Sequence, residues 1–559
     1  MELPARRAGS RSPRPRRLSR RSLQSLGVAA LAAAALAAFP HAALAASSQA
    51  VESEPTLTRP ASPTKPPPQH FLTAQEVERI AALSDKLQDE LGRHGHVSVR
   101  PYAKGPGRWQ VSYFAGPDEV AQVIVDERRG RAVEVWTGPQ VKWQMARGLP
   151  GAFGRRFNSP AVWVLLVVAF LVPFADWRRP FRLLHLDLVV LLGFGVSHIF
   201  FNRGEISTSV PLVYPVLVYL LVRMLMVARS RAGPGLPHLS IPLSWLGLVL
   251  VFLVGFRVGL NLTNSNVIDV GYSGVIGADH ITHGQDIYGA FPQDNPSGDT
   301  YGPVSYLAYV PWELVWPWHG TWDDLPAAHA AAVFFDLATM AALFVLGRQL
   351  LPRGDGNRLG LLLAYGWAAY PYTLFVLSSN ANDSLVALLV VLAFVAIASP
   401  PGRGALLALA SAAKFAPLAL APLFAGFARF RLRDAVVFAS VFAVVLALVF
   451  VPFLPDGGFS ELWDRTLGYQ LNRDSPFSIW GQEDWLGPVH IAVTAAAGLL
   501  ALAVAFVPRE KNVLQALALG SAVLLAVQIT MSHWFYLYVV WWFPLAFTAL
   551  LARGPGSAR

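Results

Sequence analysis

Two stretches of the chain hold most of its unusual polar residues. Asp269, Asp279, His280, His283, Asp286 and Asp299 fall in one, and Glu461, Asp464, Arg465, Arg473, Asp474, Glu483 and Asp484 in the other. Tyr288, Tyr301-Gly302-Pro303, Trp463, Tyr469, Pro476-Phe477 and Trp480 are interleaved with them, a mixture that marks folded loops rather than solvated ones. Aromatic faces beside carboxylates suit sugars, although an aromatic belt at a membrane interface accounts for part of the same tryptophans. Lys414 stands apart, one of six lysines and set within an apolar segment, where a charge is costly and is a functional candidate by default. Its alternative is to snorkel to an interface.

Other chemistries have no residues to run them. There is no cysteine, so disulfides, thiolate catalysis and iron–sulfur clusters are excluded. His280 and His283 form a single i, i+3 pair, H-E-x-x-H is absent, and no metal site is expected. Neither a GxxxxGK[ST] loop nor a dinucleotide fingerprint occurs, so no nucleotide is the immediate energy source and no cofactor is expected. Asn261-Leu262-Thr263 matches a glycosylation sequon by chance.

The elements that must hold these residues are those of a membrane protein. Of 559 residues, 54% are hydrophobic and 14% charged, too little charge for a soluble enzyme of this length, and the mean hydropathy is +0.43. The net charge of +10 does not indicate nucleic acid, because eight arginines fall in the first 22 residues and most others sit in short loops between apolar runs. Lysine is scarce against arginine, 6 to 39, which with the abundance of Ala, Gly and Pro points to a GC-rich bacterial genome.

Residues 1–46 read as a signal peptide or uncleaved anchor: a basic start, an apolar run from Leu23 to Ala38, and Ala43-Leu44-Ala45 before Ala46. Ser19-Arg20-Arg21-Ser22-Leu23 also fits a twin-arginine signal. Residues 47–70 are a linker rich in Pro, Ser and Thr. Over 71–145 a small α+β extracytoplasmic domain is expected. Thr73 and Glu76 make a capping box for a helix with Val77, Ile80, Leu87 and Leu91 on one face. Alternating runs follow from His96 to Tyr102, Arg108 to Phe114, Glu119 to Val125 and Arg131 to Trp136.

Apolar segments near 160–176, 183–200, 210–228, 240–259, 326–351, 360–378, 384–399, 435–454, 487–507, 513–531 and 534–552 predict about 11 transmembrane helices. From an outside start at Arg156, Trp177-Arg178-Arg179, Arg229-Ser230-Arg231, Arg353 to Arg358 and Arg403 fall on the cytoplasmic side. Ala405 to Ala428 has Arg403 before it and Arg429, Arg431 and Arg433 after it, so both its ends belong inside. It therefore reads as a re-entrant hairpin broken around Lys414-Phe415-Ala416-Pro417, the alternative being a single pass against the charge rule. Pro508-Arg509-Glu510-Lys511 and the tail then lie inside, and the loops 260–325 and 455–486 outside.

Two resemblances follow from particular segments. V-I-V-D-E-R-R-G-R-A-V-E-V, closing the small domain, resembles a PepSY-like domain, which implies an accessory or partner-binding module. The run N-V-I-D-V-G-Y-S-G-V-I-G-A-D-H-I-T-H-G-Q-D-I-Y-G, then D-T-Y-G-P-V-S-Y-L-A-Y-V-P, K-F-A-P-L-A-L-A-P-L and H-W-F-Y-L-Y-V-V-W-W-F-P-L, resembles the GT-C glycosyltransferases. The nearest likeness is to family 87, whose donors are polyprenyl-phosphate mannose. It covers Ser240 to Leu551, so 159–239 are accessory helices and 240–559 a GT-C-like core.

That resemblance implies an active site on the non-cytoplasmic face and an aspartate just after the first core crossing as general base. Here that residue is Asp269, with Asp279 and then Asp299 as rivals. One base suffices for inversion, taking the proton of an acceptor hydroxyl as it attacks a lipid-linked sugar. Asp279 could instead cap a helix starting at His280, and Asp299 could initiate the turn at Thr300-Tyr301-Gly302. The leaving group would be a lipid phosphate, for which Lys414, Arg465, Arg473 and His533 are the candidate partners. Pairing with Asp464 and Asp474 is the alternative for the arginines, and an interfacial helix start for His533. His280, Asp299, Tyr301 and Asn382 are expected to contact substrate, with Asn380 and Asp383 in the same short turn as Asn382. Asp187 and Asp336, inside crossings, are expected to satisfy neighbouring helices.

The implied partners are the bilayer, a polyprenyl-phosphate sugar (mannose first, arabinofuranose second) and a cell-envelope acceptor in the plasma membrane of a bacterium. A secondary transporter and a membrane scaffold presenting the PepSY-like domain are the competing readings. The first lacks internal repeats.

Overall fold

A computed structural model describes residues 57–142, 155–176, 178–231, 233–292, 295–473 and 475–553. The expected signal segment and Asp474 lie outside them.

Residues 57–137 carry a five-stranded antiparallel sheet in sequence order: β1 Leu57–Thr58, β2 Ser98–Lys104, β3 Arg108–Ala115, β4 Asp118–Asp126 and β5 Arg131–Thr137. Period-two alternation sends Trp109, Val111 and Tyr113 of β3, and Ala121, Val123 and Val125 of β4, to one face. Helix Ala74–Ala82 covers that face with Ala74, Val77 and Ala81, and helix Asp85–Leu91 adds Leu87. The Thr73–Glu76 capping box is formed: the Thr73 hydroxyl accepts from the Glu76 amide at 3.3 Å, and Glu76 accepts from the Thr73 amide at 2.9 Å. Glu127 is buried at the sheet end, where it accepts hydrogen bonds from the Trp109 indole and the Leu72 amide and meets His70 Nδ1 at 3.0 Å.

The remaining described residues form mainly a bundle of apolar helices. Leu183–Phe201, Ile206–Arg229, Leu243–Asn264, Pro326–Leu350, Leu432–Phe453, Asp484–Ala503 and Val513–Thr530 are long and apolar enough to cross a bilayer. Arg353–Ala369 and Pro371–Ser378, bent by 60°, make an eighth if taken as one span. Among the described residues, seven or eight helices therefore meet the length and composition of a span, against the about 11 expected. The runs at 160–176, 384–399 and 534–552 become the shorter helices Pro160–Phe174, Asp383–Val395 and Tyr536–Leu551. At 1.5 Å per residue these are roughly 20–24 Å long, against a hydrocarbon core of about 30 Å. Hydropathy counted apolar residues that lie beyond the helix ends, such as Ala396 to Ser399 before Pro400. Asp383–Val395 and Val539–Leu551 are almost wholly buried and form the protein core with Val513–Thr530, whereas Leu432–Phe453 and Asp484–Ala503 are nearly bare.

The short basic loops gather at one end of the bundle. Arg429 bridges Glu510 and Pro234 bridges Arg553 in isolated antiparallel pairs, and the Ser240 amide bonds the Pro173 carbonyl at 3.0 Å. The segment from 400 to 428 leaves that end and returns to it. Helix Pro400–Ala413 runs up and stops at Lys414, whose extended backbone (φ −137°, ψ 141°) breaks it, and a 3-10 turn over Ala416–Leu420 and helix Ala421–Ala425 lead back. The Arg403 guanidinium, at the outset, lies 5.7 Å from the Phe427 ring centre at the close. The hairpin delivers Lys414 to the opposite end, where the long loops are.

Buried ion pairs tie the helices together. Asp336 takes Arg257 Nε at 3.1 Å and the Trp367 indole at 2.7 Å, and Asp187 takes Arg223 at 2.8 Å. Both carboxylates serve neighbouring helices, as expected from sequence. Asp336 is thus held in a buried structural pair.

Candidate active site at the loop end of the bundle

Asp269 opens the helix Asp269–Thr282, immediately after the crossing Leu243–Asn264. The junction is pinned from behind. The Asn266 and Ile268 amides bond the Ser378 and Ser379 carbonyls at 3.0 and 3.2 Å, and Asn380 bonds Ser265, Asn266 and Asn261. Gly271 is required there, because a Cβ would lie 2.3 Å from the Asn380 carbonyl oxygen. These contacts aim the first turn of the helix into the bundle end.

The carboxylate of Asp269 retains accessible surface, yet desolvation by the surrounding protein is the largest influence on it and raises its pKa above the ordinary 3.8. The Val270 amide and the positive charges of Arg473 and Lys414 act in the opposite sense, and Asp383 adds to the rise.

Lys414 is buried and donates to Asp383 at 2.7 Å. Tyr301, Tyr538 and Trp541 surround its ammonium, with ring centres at 5.2, 5.7 and 5.5 Å. The Trp541 indole donates to the same Asp383 oxygen at 2.8 Å. The other, Oδ2, is buried without a hydrogen-bond partner among the described residues, as is the whole side-chain amide of Asn382. Tyr301 is positioned by a close approach: Gly302 packs where a Cβ would lie 2.1 Å from the Ala412 carbonyl oxygen, and Ser305 bonds Ala413 at 2.8 Å. Snorkelling of Lys414 is excluded by this enclosure.

Arg473 reaches the cluster from the second long loop, its guanidinium 5.8 Å from the Tyr469 ring centre. His533 meets Ser475 at 2.7 Å, and burial with the nearby Arg473 charge pushes its pKa well below the ordinary 6.5. The imidazole is neutral at physiological pH and supplies hydrogen bonding rather than charge. Asp269, Arg473, Lys414, Asn382, Tyr301 and His533 are therefore brought to one end of the bundle, with Asp383, Tyr538 and Trp541 completing the group. The place of Asp383 as counter-ion was not legible in sequence. A charged residue three positions from Asn380, in the same short turn, was the hint.

Other sequence candidates lie elsewhere. Asp279 is ten residues along the helix from Asp269, roughly 15 Å at the helical rise, and meets His283 at 3.2 Å. This corrects its standing as the rival base. His280 packs edge-on against Phe291, 5.6 Å between centres, on that same distant turn. Asp299, the third candidate base, is buried and clamps the two long loops together, accepting from the Gly289 amide at 2.9 Å and from Arg465 at 3.0 Å. Arg465 bonds Glu461 at 2.7 Å as well, so its charge is already shared between two carboxylates. Its partners are not Asp464, the neighbour in sequence, because one helical turn separates Glu461 from Arg465.

Residues 300–532, less than half of the chain, match the model of Glycosyltransferase family 87. The matched stretch includes Tyr301, Asn382, Asp383, Lys414, Arg465 and Arg473 and stops short of Asp269 and His533. A comparison with curated proteins finds no match. With the apolar helices, the family match supports a membrane glycosyltransferase, similar to the GT-C type.

Proposed function

We propose that the chain transfers a sugar from a polyprenyl-phosphate donor, mannose in the first instance, to a cell-envelope glycan or glycolipid, with inversion and with Asp269 as the general base. The supporting observation is the grouping of an accessible, desolvated carboxylate with Arg473 and the Lys414–Asp383 pair at one end of the bundle. As the acceptor oxygen attacks the anomeric carbon, Asp269 takes its proton. Arg473 offers fixed positive charge to the departing phosphate. Lys414, already paired with Asp383, adds a cation whose partner must be shared with the phosphate. The donor and the acceptor are substrates, and no cofactor enters.

Purified protein in lipid, incubated with radiolabelled polyprenyl-phosphate mannose and an envelope lipid extract, is expected to transfer label. Failure with mannose, arabinofuranose and other polyprenyl-phosphate sugars alike would refute the reading.

In this reading the site and the sheet of residues 57–137 face outside a bacterial plasma membrane, and the latter acts as a PepSY-like accessory module. Single cysteines are expected to react with a membrane-impermeant reagent at positions 122, 269 and 464 in intact cells, and not at 179, 231, 358 or 509. The cysteine-free background makes the signal clean, and an unreactive position 269 would overturn the orientation.

The electrostatics add a pH expectation. A general base works only when ionised, and a raised pKa moves the acid limb of kcat/KM to higher pH than an ordinary aspartate would give. Arg473 lowers the Asp269 pKa, so Arg473→Gln should move that limb higher still, as well as weakening donor use. A pH–rate profile whose acid limb stayed in place or fell would separate Arg473 from the base.

A further inference from the structure

Beside the carboxylate–cation group, a cleft of about 610 Å³ opens between the two long loops, within the range of small-molecule sites. Asp299, Glu461, Asp464, Arg465 and Tyr469 line it. Its guanidinium is fixed, with Nε on Glu461 at 2.7 Å and one terminal nitrogen on Asp299 at 3.0 Å. From behind, Gly289 packs so closely that a Cβ would sit 2.8 Å from Arg465 Nη2. Three carboxylates against one guanidinium leave the cleft negative, which repels a phosphate and favours a neutral ligand rich in hydroxyls. Carboxylates accept hydroxyl hydrogen bonds, and the Tyr469 ring offers an apolar face.

The cleft adjoins the base. Asn295, one residue before the lining begins, donates to the Asp269 carbonyl at 3.0 Å and to Ser273 at 2.9 Å. Across the opening, the Tyr469 hydroxyl reaches Ser297 at 3.2 Å and Gln470 reaches Thr300 at 3.2 Å, while Tyr469 also contacts Arg473. One side of the cleft is thus continuous with the first turn of the Asp269 helix and the other with the phosphate-facing cation.

We propose that this cleft is the acceptor subsite, taking a neutral sugar residue of the acceptor glycan and excluding the donor phosphate. The assignment rests on the glycosyltransferase reading. It gives Arg465 a role distinct from the phosphate contact expected from sequence: it holds Asp299 and Glu461 in place to receive hydroxyls.

The test uses the full chain in nanodiscs, with the octyl glycoside of a mannose disaccharide as probe and Ser460→Trp to fill the cleft. Saturation-transfer NMR without donor should show the probe binding to wild type, unaffected by inorganic phosphate, and at least about tenfold more weakly to Ser460→Trp, since the site's charged hydrogen-bond acceptors become unreachable. In the transfer assay the KM for acceptor should rise by a similar factor while the KM for donor stays within about twofold. Should Ser460→Trp fail to fold, Asp464→Asn, an exposed and nearly isosteric change, is expected to shift acceptor KM in the same direction. No binding of the probe to wild type, binding unchanged in folded Ser460→Trp, or a rise in donor KM instead would overturn the subsite. Cleft-dependent binding with no transfer from any donor would refute the glycosyl-transfer reading and leave the sugar site standing.

Discussion

Asp269→Asn is expected to reduce sugar transfer by about 10² to 10⁴, the usual worth of general-base catalysis, while leaving folding and donor binding intact. Asparagine preserves the size of the side chain and much of its hydrogen bonding at the start of a helix, so a carboxylate that merely capped Asp269–Thr282 would be replaced with little loss. What asparagine cannot do is accept the acceptor's proton. Asp269→Glu should keep partial activity, because the residue is exposed and the longer carboxylate retains its charge. Asp279→Asn is the matched control on the same helix, and its effect should be small because its carboxylate is paired with His283, roughly two to three helical turns from Asp269. Wild-type turnover by Asp269→Asn, at equal expression in the lipid-linked sugar assay, would remove Asp269 as the base.

Lys414→Met should have the second large effect, on stability first. It leaves Asp383 buried with the Trp541 indole as its one remaining side-chain partner among those described, and removing one member of a buried pair typically costs about 3–5 kcal/mol. Adding Asp383→Asn removes the stranded charge, so the double variant should regain most of the lost thermal stability. Activity should not return with it. If Lys414 also acts on the leaving phosphate, the double variant remains slow by the amount that a lost donor to developing charge costs, about 2.7–4 kcal/mol of barrier. A double variant restored in both unfolding temperature and donor use would make the pair purely structural. A Lys414→Met single variant as stable as wild type would contradict the buried pair itself.

Several residues were legible in the sequence for reasons that did not need a fold. Lys414 stood out because charge is expensive in an apolar run, and the proline three residues later announced a broken helix. The re-entrant path followed from charge bookkeeping at Arg403 and Arg429, and the contact between Arg403 and Phe427 agrees with it. The pairing of Asp299 with Arg465 was not legible, because loop residues far apart in sequence show no sign of it. A carboxylate and an arginine 166 positions apart look available when read singly.

Composition, hydropathy and charge are local properties summed along the chain, so the sequence was enough to show a chain rich in apolar helices with short basic loops between them. Helix lengths, and therefore the number of helices able to span, were decided by tertiary structure, since packed ends and breaks shorten apolar runs that hydropathy reads as continuous. Which charges are spent and which remain available was likewise a tertiary outcome. Lys414 is matched by Asp383, Arg465 by Glu461 and Asp299, and Asp336 by Arg257, while Asp269 stays exposed. Burial makes an unpaired charge so costly that the fold must provide a partner, and that partner need not be near in sequence.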